Sequence, residues 1–194
     1  MVAVLQLICQ GETLANRHSR FPADDALSET SRLTAQQMQG CIEPASQIWL
    51  APELAAQQTA LALGLAGRSV QALAEPACGL WAGMPIKEVI TQHGEDFHRW
   101  LAGGAAPGGE DVAQLVARTG AWLSGSVAGR QPQCAIVSAA VIRAMVIGLL
   151  GAPVSAFQLI DIAPLSITTL RGDGKRWHIT SINSVRFAFP EGSL

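Results

Sequence analysis

Apolar residues fall in short blocks broken by glycine, proline and polar runs, and the blocks alternate between two kinds. Residues 2–8 form a run rich in Val, Leu and Ile, bounded by Gly11, which predicts a buried strand. Residues 11–30 are polar without a period and predict a long loop, a feature often tied to function. Ser31 is placed to cap a helix running to Gly40. Residues 47–50 predict a second strand closed by Pro52, residues 53–63 a helix ending at Gly64, and residues 69–73 a third strand. Pro76, Gly79, Gly83 and Pro85 then break the pattern, and helical pieces follow at 86–93 and 95–101. Residues 102–110 read as a flexible link. The next helix, 111–123, carries Val112, Leu115, Val116, Thr119 and Trp122 on one face. Residues 134–137 predict a strongly apolar strand and 139–150 a helix stopped by Gly151 and Pro153. Three strand-like runs close the chain at 157–162, 166–170 and 177–182, with Gly172 and Gly174 turning a hairpin between the last two. Alternation of strand and helix predicts an α/β fold: a three-layer α/β/α sandwich with a mostly parallel central sheet.

The 194 residues fit a single domain, residues 1–194, with a cap-like insertion at about 75–109. With 49% hydrophobic and 14% charged residues the chain has enough apolar material for a sizeable core. The net charge of −2, from 13 basic and 15 acidic residues, supplies no basic field for nucleic acid and no polybasic membrane patch. The apolar stretch 134–153 carries Arg143 at its centre. A central arginine costs about 3 kcal/mol on membrane insertion, so this stretch reads as a buried strand and helix. Cys9, Cys41, Cys78 and Cys134 form no C-x-x-C pair and stand at no ligand spacing from a histidine. The expectation is reduced thiols in a cytoplasmic bacterial protein, with no metal and no cofactor. The N-terminal residues lack the basic start of a signal peptide.

Five segments, in order, resemble the histidine phosphatase superfamily, the phosphoglycerate-mutase-like proteins. Residues 7–21, LICQGETLANRHSRF, are similar to the family's strand ending in Arg-His-Gly-Glu-Thr, with Gly11, Glu12, Thr13, Asn16 and Arg20 in place. Residues 50–64 keep Pro52, Gln58, Thr59 and Ala60 of a Ser-Pro-x-x-Arg-x-x-Gln-Thr-Ala stretch. Residues 73–89 resemble the segment carrying the general acid, with Glu75, Gly79, Trp81 and Gly83 in place. Residues 107–118 match a Pro-Gly-Gly-Glu-Ser helix start, and 135–151 the strand and helix that carry Ser-His-Gly-Gly-x-x-Arg.

The resemblance implies a pocket at Cys9, Gln10, Gly11, Asn16, Ala55, Glu75 and Ala139, with the chemistry altered at most of it. The family's phosphate-binding Arg and nucleophilic His fall at Cys9 and Gln10, its second Arg at Ala55 and its second His at Ala139. Of the five catalytic positions only Glu75, at the general-acid position, keeps the expected chemistry. A carboxamide nitrogen is not basic, so Gln10 cannot act as the nucleophile. Ala55 and Ala139 offer no side-chain donors to a phosphate. Because phosphoryl transfer rests on positioning and charge stabilisation, these substitutions lead to the expectation of a catalytically inactive protein with a binding or regulatory role. Its partner would be an unidentified protein or a small ligand. Two alternatives stay open: a phosphatase with non-standard catalytic residues, drawing on His18, Arg17 or Arg20, and a structural assembly subunit. Glu75 reads equally as a pocket acid or a surface carboxylate. Arg143 reads as a structural pairing, Cys9 as a small buried hydrophobe, and His93, His98 and His178 carry no role.

Overall fold

A computed structural model describes residues 3–126 and 131–185. Val2, where the first predicted strand begins, lies outside the described residues. Six strands form one sheet: β1 (Ala3–Cys9), β2 (Gln47–Leu50), β3 (Arg68–Ser69), β4 (Gln133–Val137), β5 (Ile167–Gly172) and β6 (Trp177–Ser184), in the order β3-β2-β4-β1-β5-β6. The first four in that order run parallel, and β5 and β6 add an antiparallel hairpin. β1 and β4 are neighbours at the centre, and almost every residue in them is buried. A strand covered on both faces has no polar side to alternate with, hence the uninterrupted apolar runs.

The helices are α1 (Leu14–Arg17), α2 (Glu29–Gln37), α3 (Leu54–Ala62), α4 (Ile86–Gln92), α5 (Gly94–Leu101), α6 (Val112–Ser126) and α7 (Ala139–Leu150). α2 packs on α3 and α6 on α7, giving the two helical layers of the sandwich. One hydrophobic core joins the sheet to α3, α6 and α7. A second, smaller one gathers Phe21, Trp81, Val89 and Ala106, with Phe97 and Trp100 against them. Among the described residues no helix is long and apolar enough to cross a membrane.

Several local expectations are corrected. The predicted strand at 157–162 is replaced by a 3-10 turn, Val154–Leu159, whose Phe157 enters the core while Leu159 stays exposed. The third strand is only Arg68–Ser69, followed by a 3-10 turn at Gln71–Leu73. α2 starts earlier than predicted because Ser28, not Ser31, caps it: the Ser28 hydroxyl accepts from the Ser31 N–H at 3.2 Å. The polar stretch 11–30 holds α1, whose capping box pairs Thr13 with Asn16. The stretch 102–110 is tied down by backbone bonds, Gly109 N–H to Ala106 O and Glu110 N–H to Ala77 O. The sheet is mostly parallel as expected, with the β5–β6 hairpin antiparallel at its edge.

Candidate active site

The chain leaves β1 towards β2 on one side and leaves β4 towards β5 on the other. Such divergence opens a crevice at the carboxyl ends of the two strands. β1 delivers Cys9 and Gln10 there, and the Gln10 N–H donates to Val137 O at 2.8 Å. Gly11 follows, its N–H donating to Thr59 Oγ1 at 3.0 Å, while Thr59 donates to Ala55 O at 2.7 Å. These two bonds seat the start of α3 against the turn after β1. A Cβ on Gly11 would come within 2.9 Å of both Leu27 and Ser31, so this turn requires glycine.

Glu75 is fixed from below by Arg118, which donates to Ala72 O at 2.9 Å and Ala74 O at 2.7 Å while pairing with both oxygens of Glu110. The Glu75 N–H in turn donates to Glu53 Oε1 at 2.9 Å. Gly79 lets the following segment close over it: with φ of +51°, a Cβ there would sit 2.1 Å from Pro107 O.

Two adjoining hollows share Asn16, Pro22 and Glu75 in their walls. The larger, about 340 Å³, is also lined by Arg20, Trp100, Glu110, Ala139, Arg143 and Phe157 among others. The smaller, about 10 Å³, is lined by Gln10, Thr13, Asp24, Asp25, Glu53 and Ala55 besides the shared residues. Gln10, Ala55, Glu75, Asn16 and Ala139 thus surround one crevice, with Gly11 and Cys9 buried behind it.

The electrostatics of the two hollows differ. Burial, then the charge of Glu53 and those of Asp25 and Asp24, pushes the Glu75 carboxyl up to about 8, so it holds its proton at neutral pH. Burial also raises Glu53, opposed by the Glu75 N–H that it accepts. Burial and the Glu75 charge push the Cys9 thiol up to about 12, which removes it as a nucleophile.

Arg143 makes the structural pairing expected of it, with the exposed Asp161 at 3.5 Å, and its guanidinium lies 5.8 Å from the Phe157 ring centre at the cavity wall; among the described residues its Nε has no hydrogen-bond partner. It lies one turn into α7, whose first residues, Ala139 and Ala140, also line the cavity. The first N–H groups of a helix have no partner within it and favour an anion. Of the suggested substitutes, Arg20 lines the large cavity and donates to Gly83 O at 2.8 Å. Arg17 is taken up by Glu12 at 2.8 Å, and His18 is exposed and lines neither hollow. Sequence reasoning missed Asp24, Asp25 and Glu53. Glu53, two residues before Ala55, was the accessible signal; the aspartates sit in a loop whose course no periodicity predicts.

Nearly the whole chain superposes on solved proteins. A mycobacterial glucosyl-3-phosphoglycerate phosphatase complexed with VO3 shares 25% identity over 94% of this chain and 99% of that one, with a TM-score of 0.81. YhfR of Bacillus stearothermophilus shares 22% over 95% and 98%, with a TM-score of 0.86. A phosphoserine phosphatase from Entamoeba histolytica shares 19% over 95% and 98%, with a TM-score of 0.83. No curated protein sequence matches. These neighbours overturn the expectation of a catalytically inactive binding or regulatory protein, because phosphatases share the fold over nearly their full length; the phosphatase alternative accords better with them. The substitutions at positions 9, 10, 55 and 139 register losses at fixed positions only. Arg20, Arg143 and the raised carboxyl of Glu75 also line the cavity. The superfamily profile, branch 1, matches residues 5–185, and the chain belongs to the histidine phosphatase superfamily.

Proposed function

We propose that this protein is a phosphate-ester hydrolase that works without a phosphohistidine. Glu75 is its proton donor, and Arg143 with the start of α7 holds the phosphate. The observation that carries this reading is a carboxyl kept protonated to about pH 8 on the wall of a cavity of about 340 Å³ that also presents Arg143 and Arg20. The phosphatases among its structural neighbours support the same class of reaction.

With Gln10 inert and Cys9 protonated, the nucleophile is water. Its oxygen forms the new bond to phosphorus as the bond to the ester oxygen breaks. The departing alcohol oxygen takes the Glu75 proton, and the proton lost by water returns the carboxylate to its acid form. A positioned proton donor contributes about 10²- to 10⁴-fold to such a step. The guanidinium fork offsets charge on the phosphate oxygens.

The test is turnover of p-nitrophenyl phosphate and a panel of phosphate monoesters, with acid-quenched protein assayed for bound phosphate. Slow turnover is expected, with no phosphoprotein, and kcat should fall by about 10²-fold or more in Glu75→Gln. A folded protein that turns over nothing and binds no vanadate would sink the proposal. A trapped phosphoenzyme would sink the direct attack by water.

A further inference from the structure

The small hollow at the end of β1 has the wrong sign for a phosphate. Asp24, Asp25, Glu53 and Glu75 line it, and among the described residues no Lys or Arg does. Besides Glu75, three more acidic side chains stand in its wall. Two other atoms here lack partners. Gln10, only 8% exposed, lines the hollow with its Oε1 buried and unbonded, and Glu53 Oε2 is also buried and unbonded. Buried acceptors left unsatisfied cost about 1–3 kcal/mol each, so their persistence points to a donor that fills the hollow.

From this geometry we infer that the hollow is a subsite for a primary ammonium group, and that the substrate is a phosphate ester whose alcohol carries one. The inference rests on the phosphohydrolase reading. Size selects the group: about 10 Å³ is room for one group the size of a water molecule. That suits –NH3+, which offers three donors, and excludes a guanidinium or a quaternary ammonium. Among the described residues no cluster of three or more His, Cys, Asp and Glu could hold a metal ion. Asp24 and Asp25 each commit one oxygen to the backbone, at Leu54 N–H and Ala23 N–H, which fixes them and leaves the other oxygen free for the ligand.

The placement of Glu75 supports the connection. It stands in the wall shared by both hollows, between Arg143 on one side and Gln10 and Glu53 on the other. An ester with its phosphate in the large cavity and its ammonium in the small one would carry its bridging oxygen past Glu75, the proton donor.

The experiment compares kcat/KM for O-phosphorylethanolamine and ethyl phosphate, which differ by the ammonium group, and separately titrates methylammonium chloride while following thermal unfolding. We expect the aminated ester to be favoured at least about 10-fold, with the ratio collapsing towards one in Glu53→Gln. Methylammonium should raise Tm in the wild type and not in that variant. Turnover of both esters at equal kcat/KM, without a methylammonium effect, would overturn the ammonium subsite and leave the hydrolase standing. A methylammonium shift lost in Glu53→Gln, with no phosphate ester turned over and no vanadate bound, would support the subsite and remove the hydrolase. If a folded protein turns over neither ester, binds no vanadate and shows no methylammonium shift, the hollow holds water only and both readings fall.

Discussion

Glu75 shows how one residue can be read from sequence as to place and not as to state. Its position in the family segment was legible. Its protonation was not, because that depends first on its burial and then on Glu53, Asp25 and Asp24 arriving from two other parts of the chain. The same holds for Arg143, where an apolar helix hides the fact that one face opens on a cavity. The raised carboxyl has a signed consequence. Its ordinary value is 4.5 and its folded value about 8, so between these the folded state keeps a proton that the unfolded state has released. Stability should therefore decline as pH rises across that window, by up to about 1.4 kcal/mol per unit. Urea unfolding at pH 5, 6, 7 and 8 should show the decline in the wild type and a flatter profile in Glu75→Gln. Activity should follow the same group, falling as pH passes about 8, because only the acid form can donate. A kcat profile that rises through pH 8 would assign the proton to another residue.

At the scale of elements, the parts most legible were those held by their own sequence. β1, β4 and α7 are continuous apolar blocks, and α7 carries its own cap in Ser138 and its own stop in Gly151 at φ of +61°. The parts that misled are those decided by distant partners. Residues 157–162 look like a strand, but the β1 edge they would have to pair with is occupied by β5, and the segment coils so that Phe157 packs under α7. The Glu75 segment depends in the same way on Arg118, forty-odd residues downstream, whose guanidinium reaches two of its carbonyls and Glu110. Arg118 is a positioning residue and should behave as one. Arg118→Met should cost about 1–3 kcal/mol, reduced from the buried-pair figure because the side chain is 26% exposed. It should also shift the upper pH limit of activity, a readout that a purely structural loss would leave unmoved. Arg118→Lys should restore little of either, since a point charge cannot serve two carbonyls and a bidentate carboxylate together. An unchanged pH profile in a folded Arg118→Met would show that Glu75 is held without it.

For the molecule as a whole, the charge around the crevice departs most from what the family resemblance implies. The net charge is only −2, yet carboxylates are concentrated where the resemblance leads one to expect a cationic clamp. Asp24, Asp25 and Glu53 lie at one end, while Glu110 and Asp111 share the large cavity with Arg20 and Arg143. Glu110 is neutralised by Arg118, but the remainder leaves a dianionic phosphate approaching a site of its own sign. Repulsion between exposed charges weakens with salt: the screening length falls from about 30 Å at 0.01 M to about 8 Å at 0.15 M. KM for a simple phosphate ester such as ethyl phosphate should therefore fall as ionic strength rises over that range, with kcat little altered. A cationic phosphate site would respond in the opposite direction, losing attraction as salt is added. For an ester carrying an ammonium group the repulsive and attractive parts act together, so its KM should depend on salt more weakly than that of ethyl phosphate. Steady-state kinetics on both esters at several ionic strengths would measure these slopes. A KM for ethyl phosphate that rises with salt would mean that Arg20 and Arg143 dominate the field at the crevice, and that the carboxylates act only on the groups they touch.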